Sequence, residues 1–132
     1  MSYLVDTHIL LWSLFSPGRI SKKVKDILSE SEATKFVSVI SVWEIAIKFS
    51  LGKLDLKGIL PDSLPTIIKN ARFEIMDLST ETAASFYKLP KLHNKDPFDR
   101  MLAWQAISKN YHLLTKDKDF SYYEDRGLKI IW

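Results

Sequence analysis

The sequence predicts an α/β fold in which a mostly parallel sheet of four to five strands is covered by helices on both faces. Short apolar runs of strand length alternate along the 132 residues with longer amphipathic segments of helical periodicity. Strands that are separated by helices favour parallel pairing in an α/β/α sandwich. Because domains average roughly 150 residues, the chain is expected to form one domain spanning 1–132.

The predicted strands are short and apolar. We place them at Ser2–Val5, Phe36–Val39, Phe73–Met76, His112–Thr115 and Leu128–Ile131. Apolar runs of this length are typical of buried strands. Sites in such sheets form outside the carboxyl ends of the strands, where the strand order reverses.

The predicted helices fill the segments between the strands. The first runs through Ile9–Trp12 and is stopped by the pair Pro17-Gly18, because proline and glycine end helices. The others are expected at Ser21–Ser31, Ser41–Leu51, Leu64–Ala71, Ser79–Tyr87 and Asp96–Asn110, with a basic loop at Pro90–Lys95.

The composition excludes several kinds of site. The chain has no cysteine, which rules out disulfides, thiolate zinc sites, iron–sulfur clusters and a cysteine nucleophile. Its four glycines stand far apart, so no glycine-rich phosphate loop can be formed from them. A formal net charge of +3 permits contact with a polyanion without proving it.

The sequence also predicts a cytoplasmic protein that does not cross a membrane. The first residues lack a basic segment, and Asp6 interrupts the apolar stretch that would serve as a signal core. The longest mostly apolar stretch, Phe36–Ile47, carries Glu44 and is shorter than the roughly 20 residues that a bilayer requires.

Four acidic residues fall at the carboxyl ends of the predicted strands. Asp6 directly follows the first strand, and Glu44 lies about one helical turn beyond the second. Asp99 lies in the first turn of the helix opened by Asp96 and Pro97, and Asp117 follows the fourth strand by two residues. We therefore expect these four carboxylates to gather at one edge of the sheet.

Carboxylates from separate elements are the ligands that Mg²⁺ and Mn²⁺ prefer. One or two such ions polarise a phosphodiester, acidify water and steady the leaving oxygen in an in-line displacement. The expected site is therefore a Mg²⁺ or Mn²⁺ site for phosphate chemistry.

Each acid also has a purely structural interpretation. Asp6 is a good N-cap for the helix that follows it, and Ser41 with Glu44 fits a capping box. Asp96 reads mainly as the N-cap of its helix, which leaves Asp99 for the site. Asp117 and Asp119 fit a solvated turn. The shared edge, rather than any single acid, favours a site.

The three histidines, His8, His93 and His112, do not form a zinc-binding spacing. His93 lies in the basic loop and is instead a candidate phosphate contact. Five cations near the acids are candidate substrate contacts: Lys91, Lys95, Arg100, Lys116 and Lys118. An ordinary solvated surface explains them equally well.

At these residues the sequence resembles the PIN-domain family, and within it the VapC-like ribonuclease toxins of type II toxin–antitoxin modules. Four segments carry the resemblance in the family's order. They are Tyr3–Trp12, Ser38–Ile45, Asp96–Leu102 and Leu113–Phe120. The combination of Pro-Phe-Asp-Arg at 97–100 with Thr-Lys-Asp at 115–117 makes it specific.

The resemblance implies a PIN-like fold and a catalytic metal site made of Asp6, Glu44, Asp99 and Asp117. Thr7 and Thr115 would support it, and Asp96 matches an acid often seen at its place in the group. Asp119 is an additional acid beside Asp117. The resemblance further implies a Mg²⁺- or Mn²⁺-dependent endoribonuclease that forms a homodimer and is held inactive by a cognate antitoxin.

Two other classes of protein remain as alternatives. A phosphoryl-transfer protein on a similar sheet would want an acidic pair or an Asp-x-Asp motif after the first strand, where this chain has Asp6, Thr7 and His8. A noncatalytic RNA- or protein-binding module with the same fold would be expected to lack one of the four acids, and none is missing.

Overall fold

The structure of the chain is a computed structural model that describes residues 1–91 and 95–132. Those ranges contain five strands and six α-helices. The strands are β1 (Ser2–Val5), β2 (Thr34–Ser38), β3 (Glu74–Met76), β4 (His112–Leu114) and β5 (Lys129–Ile131). The helices are α1 (Thr7–Phe15), α2 (Lys22–Ser29), α3 (Val39–Ser50), α4 (Leu64–Asn70), α5 (Thr80–Ser85) and α6 (Pro97–Lys109).

All five strands are parallel and lie in the order β3-β2-β1-β4-β5. The central strand β1 pairs through Leu4 with Phe36 of β2 and Leu113 of β4. The chain extends the sheet in one direction through β2 and β3 and then returns to the other side of β1 for β4. The order therefore reverses at β1, and the predicted fold class is confirmed.

The sheet separates two apolar clusters, as expected for a strand whose side chains alternate between faces. Tyr3 and Val5 of β1 face the cluster that includes Ile9, Val24 and Ile68. Leu4 faces the other cluster, which includes Leu102 and Ala106 of α6 and the buried Phe120 and Tyr123. Helices thus cover both faces and hold the carboxyl edge of β1 at the centre of the molecule.

Several predicted boundaries were wrong by a few residues. Val39 begins α3 rather than ending β2, because the Ser38 hydroxyl accepts a hydrogen bond from Ile40 N at 3.0 Å and so caps the helix two residues early. Helix α5 ends at Ser85 and continues only as a 3₁₀ turn, Phe86–Lys88. The 3₁₀ segment Lys118–Arg126 was not predicted from the sequence.

Candidate active site

The carboxyl edge of the sheet carries the acids that the sequence singled out. Asp6 connects β1 to α1, and Asp117 follows β4, which is the neighbour of β1 across the reversal point. Glu44 lies on α3, which follows β2, and Asp99 lies in the first turn of α6. The two strands that flank β1 therefore lead into elements that carry Glu44 and Asp117.

Asp6 is buried, with 3 % of its surface exposed. One carboxylate oxygen accepts a hydrogen bond from Ile9 N at 2.8 Å, which confirms the predicted N-cap of α1. The other accepts a hydrogen bond from the Thr115 hydroxyl. Burial raises the pKa of Asp6 above its ordinary value, and these two hydrogen bonds and the charge of His8 only partly oppose the effect.

Thr115 connects the Asp6 carboxylate to Asp117. Its Oγ1 accepts a hydrogen bond from Asp117 N at 3.0 Å while its hydroxyl donates to Asp6. The negative charge of Asp117 contributes to the raised pKa of Asp6. Asp117 is exposed, and its Oδ1 accepts from Asp119 N at 2.9 Å, so the predicted turn geometry is present as well.

Glu44 is the second buried acid of the edge. Thr7 donates a hydrogen bond to Glu44 Oε1 at 2.7 Å, and Lys48 Nζ lies 2.5 Å from Glu44 Oε2. Thr7 Oγ1 also lies 2.9 Å from Ser41 Oγ. The predicted capping box of Ser41 and Glu44 is wrong, because α3 begins at Val39 and places both side chains inside the protein.

Lys48 lies among the acids of α3 and α6. Burial lowers its pKa, but the hydrogen bond and charge of Glu44, followed by the charges of Asp96 and Asp99, outweigh this and raise the pKa above its ordinary value. Asp96 caps α6 as predicted, since its Oδ1 accepts from Phe98 N at 2.8 Å and from Asp99 N at 3.3 Å. The Lys48 ammonium group therefore lies close enough to acids of both α3 and α6 for their charges to act on it.

Two clefts open beside these acids. One, of about 450 Å³, is lined by Asp6 and Asp117 together with Arg19, Lys116 and Lys118. The other, of about 380 Å³, is lined by Glu44 and Lys48 together with Arg19, Lys53 and Lys57. His8 and Trp12 line both clefts, so one basic surface runs past both buried carboxylates.

The other predicted cations lie in different surroundings. Arg100 donates a hydrogen bond to Leu89 O at 3.3 Å, and its guanidinium lies 4.8 Å from the centre of the Phe86 ring. Its side chain therefore makes intramolecular contacts. Lys91 and Lys95 are exposed. The predicted phosphate contact His93, in the basic loop Pro90–Lys95, falls outside the described residues.

The carboxylate oxygens of the edge fit a hard divalent cation in their chemistry. Asp6 is buried, its pKa is raised, and no basic side chain among the described residues lies within hydrogen-bond range of it. This is the pattern expected of a carboxylate that a cation stabilises. Nevertheless, within 1–91 and 95–132 the structure contains no group of three or more His, Asp or Glu side chains arranged to hold a metal ion. Lys48 occupies one oxygen of Glu44 instead.

Sequence reasoning missed three features of this site. Lys48 was detectable, since Glu44 and Lys48 have the i,i+4 spacing that brings side chains together on a helix. Arg19 gave no local signal, because its guanidinium reaches the Trp12 ring, 4.4 Å from its centre, only after the chain turns at Pro17. The buried position of Ser41 depends on where α3 begins.

The fold and the edge of carboxylates define an α/β protein with an acidic site at the reversal point of a parallel sheet. The chain belongs to the PIN-domain family, whose model matches residues 3–125. This confirms the resemblance carried by the four sequence segments. A search of curated proteins found no match.

Solved structures with the same fold include VapBC complexes. VapBC2 from Rickettsia felis, bound to a DNA fragment from its promoter, has a TM-score of 0.71 and 22% identity over 100% of this chain and 99% of that chain. DNA-bound VapBC from Salmonella typhimurium has a TM-score of 0.67 and 15% identity over 99% and 97%. A toxin–antitoxin complex from Klebsiella pneumoniae has a TM-score of 0.64 and 17% identity over 98% and 96%. At these identities the similarity establishes the fold.

In the described part of the chain, no helix is both long enough and apolar enough to cross a membrane.

Proposed function

We propose that this chain is a Mg²⁺- or Mn²⁺-dependent endoribonuclease and the toxin of a type II toxin–antitoxin pair. The observation that carries the proposal is the burial of two carboxylates, Asp6 and Glu44, at the reversal edge of a PIN-domain sheet. Burying an ionised group costs free energy, so two buried acids beside open clefts favour a functional site over a structural one. The shared fold with VapBC complexes supports the toxin assignment.

The proposed metal ligands are Asp6, Glu44, Asp99 and Asp117. When bound, a divalent cation supplies the positive charge that polarises a phosphodiester and acidifies water. The Thr115 hydroxyl orients Asp6 towards the edge, and Thr7 does the same for Glu44. Asp96 fixes the first turn of α6 and thereby the backbone of Asp99. Asp119 N holds the Asp117 carboxylate.

The proposed substrate is RNA, and the two clefts are its proposed path. Arg19, Lys116 and Lys118 line the cleft of Asp6, where they would contact phosphates on either side of the scissile bond. Trp12 lies half-buried between the clefts and offers a ring on which a base of single-stranded RNA would stack. Lys91 and Lys95 extend the basic surface, whereas the contacts of Arg100 favour a structural role.

The proposed partners are a cognate antitoxin and a second copy of the chain. A cleft of about 250 Å³ has an almost wholly apolar lining that includes Trp43, Phe98 and Met101, and the Trp43 side chain is 59% exposed. Burying such a surface favours association. Light scattering should report a dimer for the wild type and a monomer for Trp43→Arg.

A second candidate function, a noncatalytic RNA-binding module, is favoured by two observations. Lys48 forms an ion pair with Glu44, and the described residues hold no three-ligand metal group. Such a module would bind RNA without cutting it, so measuring RNA binding alongside RNA cleavage separates the two functions.

The test is cleavage mapping on total cellular RNA with Mg²⁺ or with EDTA. Wild type should cut RNA only with Mg²⁺, and Asp6→Asn and Glu44→Gln should each lower the rate by at least about 10²-fold, since each removes a charge that stabilises the transition state through the cation. The control Asp62→Asn alters an exposed acid that lines neither cleft and should cut like wild type. Cleavage that persists in EDTA or in Asp6→Asn would contradict the mechanism, and binding without cleavage would favour the noncatalytic module.

The toxin assignment has its own measurement. Induced expression of the wild type in a bacterial host should arrest growth, whereas Asp6→Asn should not, because it retains the fold and loses the proposed catalysis. Normal growth with active wild-type enzyme would separate the ribonuclease activity from a toxin role.

A further inference from the structure

Lys48 makes a contact that the proposed reaction does not require. Its ammonium lies 2.5 Å from Glu44 Oε2, while the other oxygen of Glu44 is held by Thr7 at 2.7 Å. Asp96 and Asp99 lie near enough for their charges to act on the same ammonium. Lys48 therefore faces a carboxylate of the proposed metal site from α3 and two more acids from α6.

A second i,i+4 pair in the same chain shows that this contact is unusual. Lys22 and Asp26 on α2 are 3.0 Å apart, with side chains 89% and 66% exposed, so water screens both charges. In the Glu44 pair, the carboxylate side chain is 3% exposed and the lysine side chain 40%. A buried carboxylate depends on its counter-ion far more than a solvated one does.

We propose that the Lys48 ammonium is the resident counter-ion of Glu44 in the metal-free protein and competes with the divalent cation for that carboxylate. The inference rests on the proposed metal site and adds its regulation. Lys48 occupies one carboxylate oxygen that a cation would use.

Lys48 can move away from Glu44 when the cation binds. Its side chain is partly exposed and lines the cleft of about 380 Å³ that also contains Arg19 and Lys53. A lysine has a flexible four-carbon stem, so the ammonium can leave Glu44 and enter this cleft by changes of rotamer alone. Thr7 remains on Glu44 Oε1 and keeps that carboxylate oriented during the exchange.

The exchange predicts opposite effects of Lys48 with and without metal. Without metal, Lys48 compensates a buried charge and stabilises the fold. With metal, its positive charge opposes the cation. A lysine with only a structural role would stabilise both forms equally, so a metal titration distinguishes the two roles without any measurement of RNA cleavage.

The test compares Mn²⁺ affinity and thermal unfolding for the wild type and Lys48→Met. We expect Lys48→Met to bind Mn²⁺ about tenfold more tightly, because a like charge is removed from the site. We also expect it to melt at a lower temperature than wild type in EDTA and to recover that loss in saturating Mn²⁺. Lys53→Met, a lysine of the same cleft with no ion pair to Glu44, is the matched control and should change neither quantity.

Lys48→Arg keeps the proposal testable if Lys48→Met does not fold without metal. The planar guanidinium holds a carboxylate with two hydrogen bonds, so this variant should bind Mn²⁺ more weakly than wild type while melting normally in EDTA. A wild type that binds no Mn²⁺ overturns the metal site and this inference together. Wild-type Mn²⁺ binding with equal or weaker binding by Lys48→Met overturns the inference alone, and so does a melting deficit that persists in Mn²⁺.

Discussion

Asp6 and Glu44 are both buried acids at the same edge of one sheet, yet the protein stabilises them differently. Asp6 receives hydrogen bonds from Ile9 N and the Thr115 hydroxyl, which are neutral donors, and burial raises its pKa. Glu44 receives a neutral donor, Thr7, and an ammonium, Lys48. One buried carboxylate of this edge is therefore held by neutral hydrogen-bond donors, whereas the other forms an ion pair within its own helix.

The largest expected effect is an increase in stability when Asp6 loses its charge. The pKa of folded Asp6 is raised above the ordinary value of 3.8, so its favourable contribution is present below pH 3.8 and is lost as the pH rises through the folded value. At pH 7.5 in EDTA, far above the ordinary value, the buried carboxyl group therefore lowers the stability of the fold. Asp6→Asn should raise the melting temperature by about 3 °C or more, the shift that about 1 kcal/mol gives in a domain of this size.

The pH dependence provides the check on that prediction. The gain from Asp6→Asn should shrink as the pH falls through the raised pKa of folded Asp6 towards 3.8, because Asp6 is then protonated in the folded wild type as well. Differential scanning fluorimetry from pH 4 to 8 measures it. A gain that does not depend on pH would assign the effect to packing rather than to charge.

A threonine hydroxyl donates a hydrogen bond to each of the two acids, and removing either hydroxyl should lower stability by a different amount. Thr115→Val leaves Asp6 with one donor and also removes the acceptor for Asp117 N, so it should lower the free energy of unfolding by about 1 kcal/mol. Thr7→Val should cost less, because Lys48 still compensates Glu44. Urea unfolding in EDTA measures both variants, and a larger cost for Thr7→Val would reverse the proposed difference between the two acids.

Glu44→Gln should have the opposite sign to Asp6→Asn. Glutamine still accepts from Thr7 but cannot attract Lys48, so the free energy of unfolding in EDTA should fall, and the melting temperature with it. We expect a loss of about 1 kcal/mol or less, because Lys48 is partly exposed. Equal increases for Asp6→Asn and Glu44→Gln would show that Lys48 does not compensate Glu44 in solution.

The smallest expected effect belongs to the exposed pair of α2. Lys22→Met removes an ion pair whose side chains are mostly solvated, so it should change the unfolding free energy by less than about 0.5 kcal/mol in EDTA and in Mn²⁺ alike. An effect as large as that of Lys48→Met would mean that i,i+4 spacing alone, without burial of the acid, accounts for the behaviour of Lys48.

The class of fold could be predicted from the sequence because apolar runs of strand length can be recognised from neighbouring residues alone. All five strands occur within two residues of their predicted positions. The order β3-β2-β1-β4-β5 has no local signal, since it follows from how helices pack across the sheet. The positions of Asp6 and Asp117 at strand ends could nevertheless be predicted without knowing the strand order.

The surroundings of each acid were harder to predict than its position. Residues 41–44 match a capping box, but the helix begins at Val39 because Ser38 caps it, and this shift turns Glu44 inwards. Asp6 accepts a hydrogen bond from Thr115, which lies 109 residues away along the chain. Such contacts depend on tertiary packing, which sequence spacing does not record.

The most direct test of the account is equilibrium Mn²⁺ binding by the purified protein, freed of any antitoxin, measured by electron paramagnetic resonance at pH 7.5. The account predicts that wild type and Asp62→Asn bind Mn²⁺ and that Asp6→Asn and Glu44→Gln lose or greatly weaken it. Absence of binding by wild type, or equal binding by the two site variants, would contradict the claim that these buried acids form a metal centre.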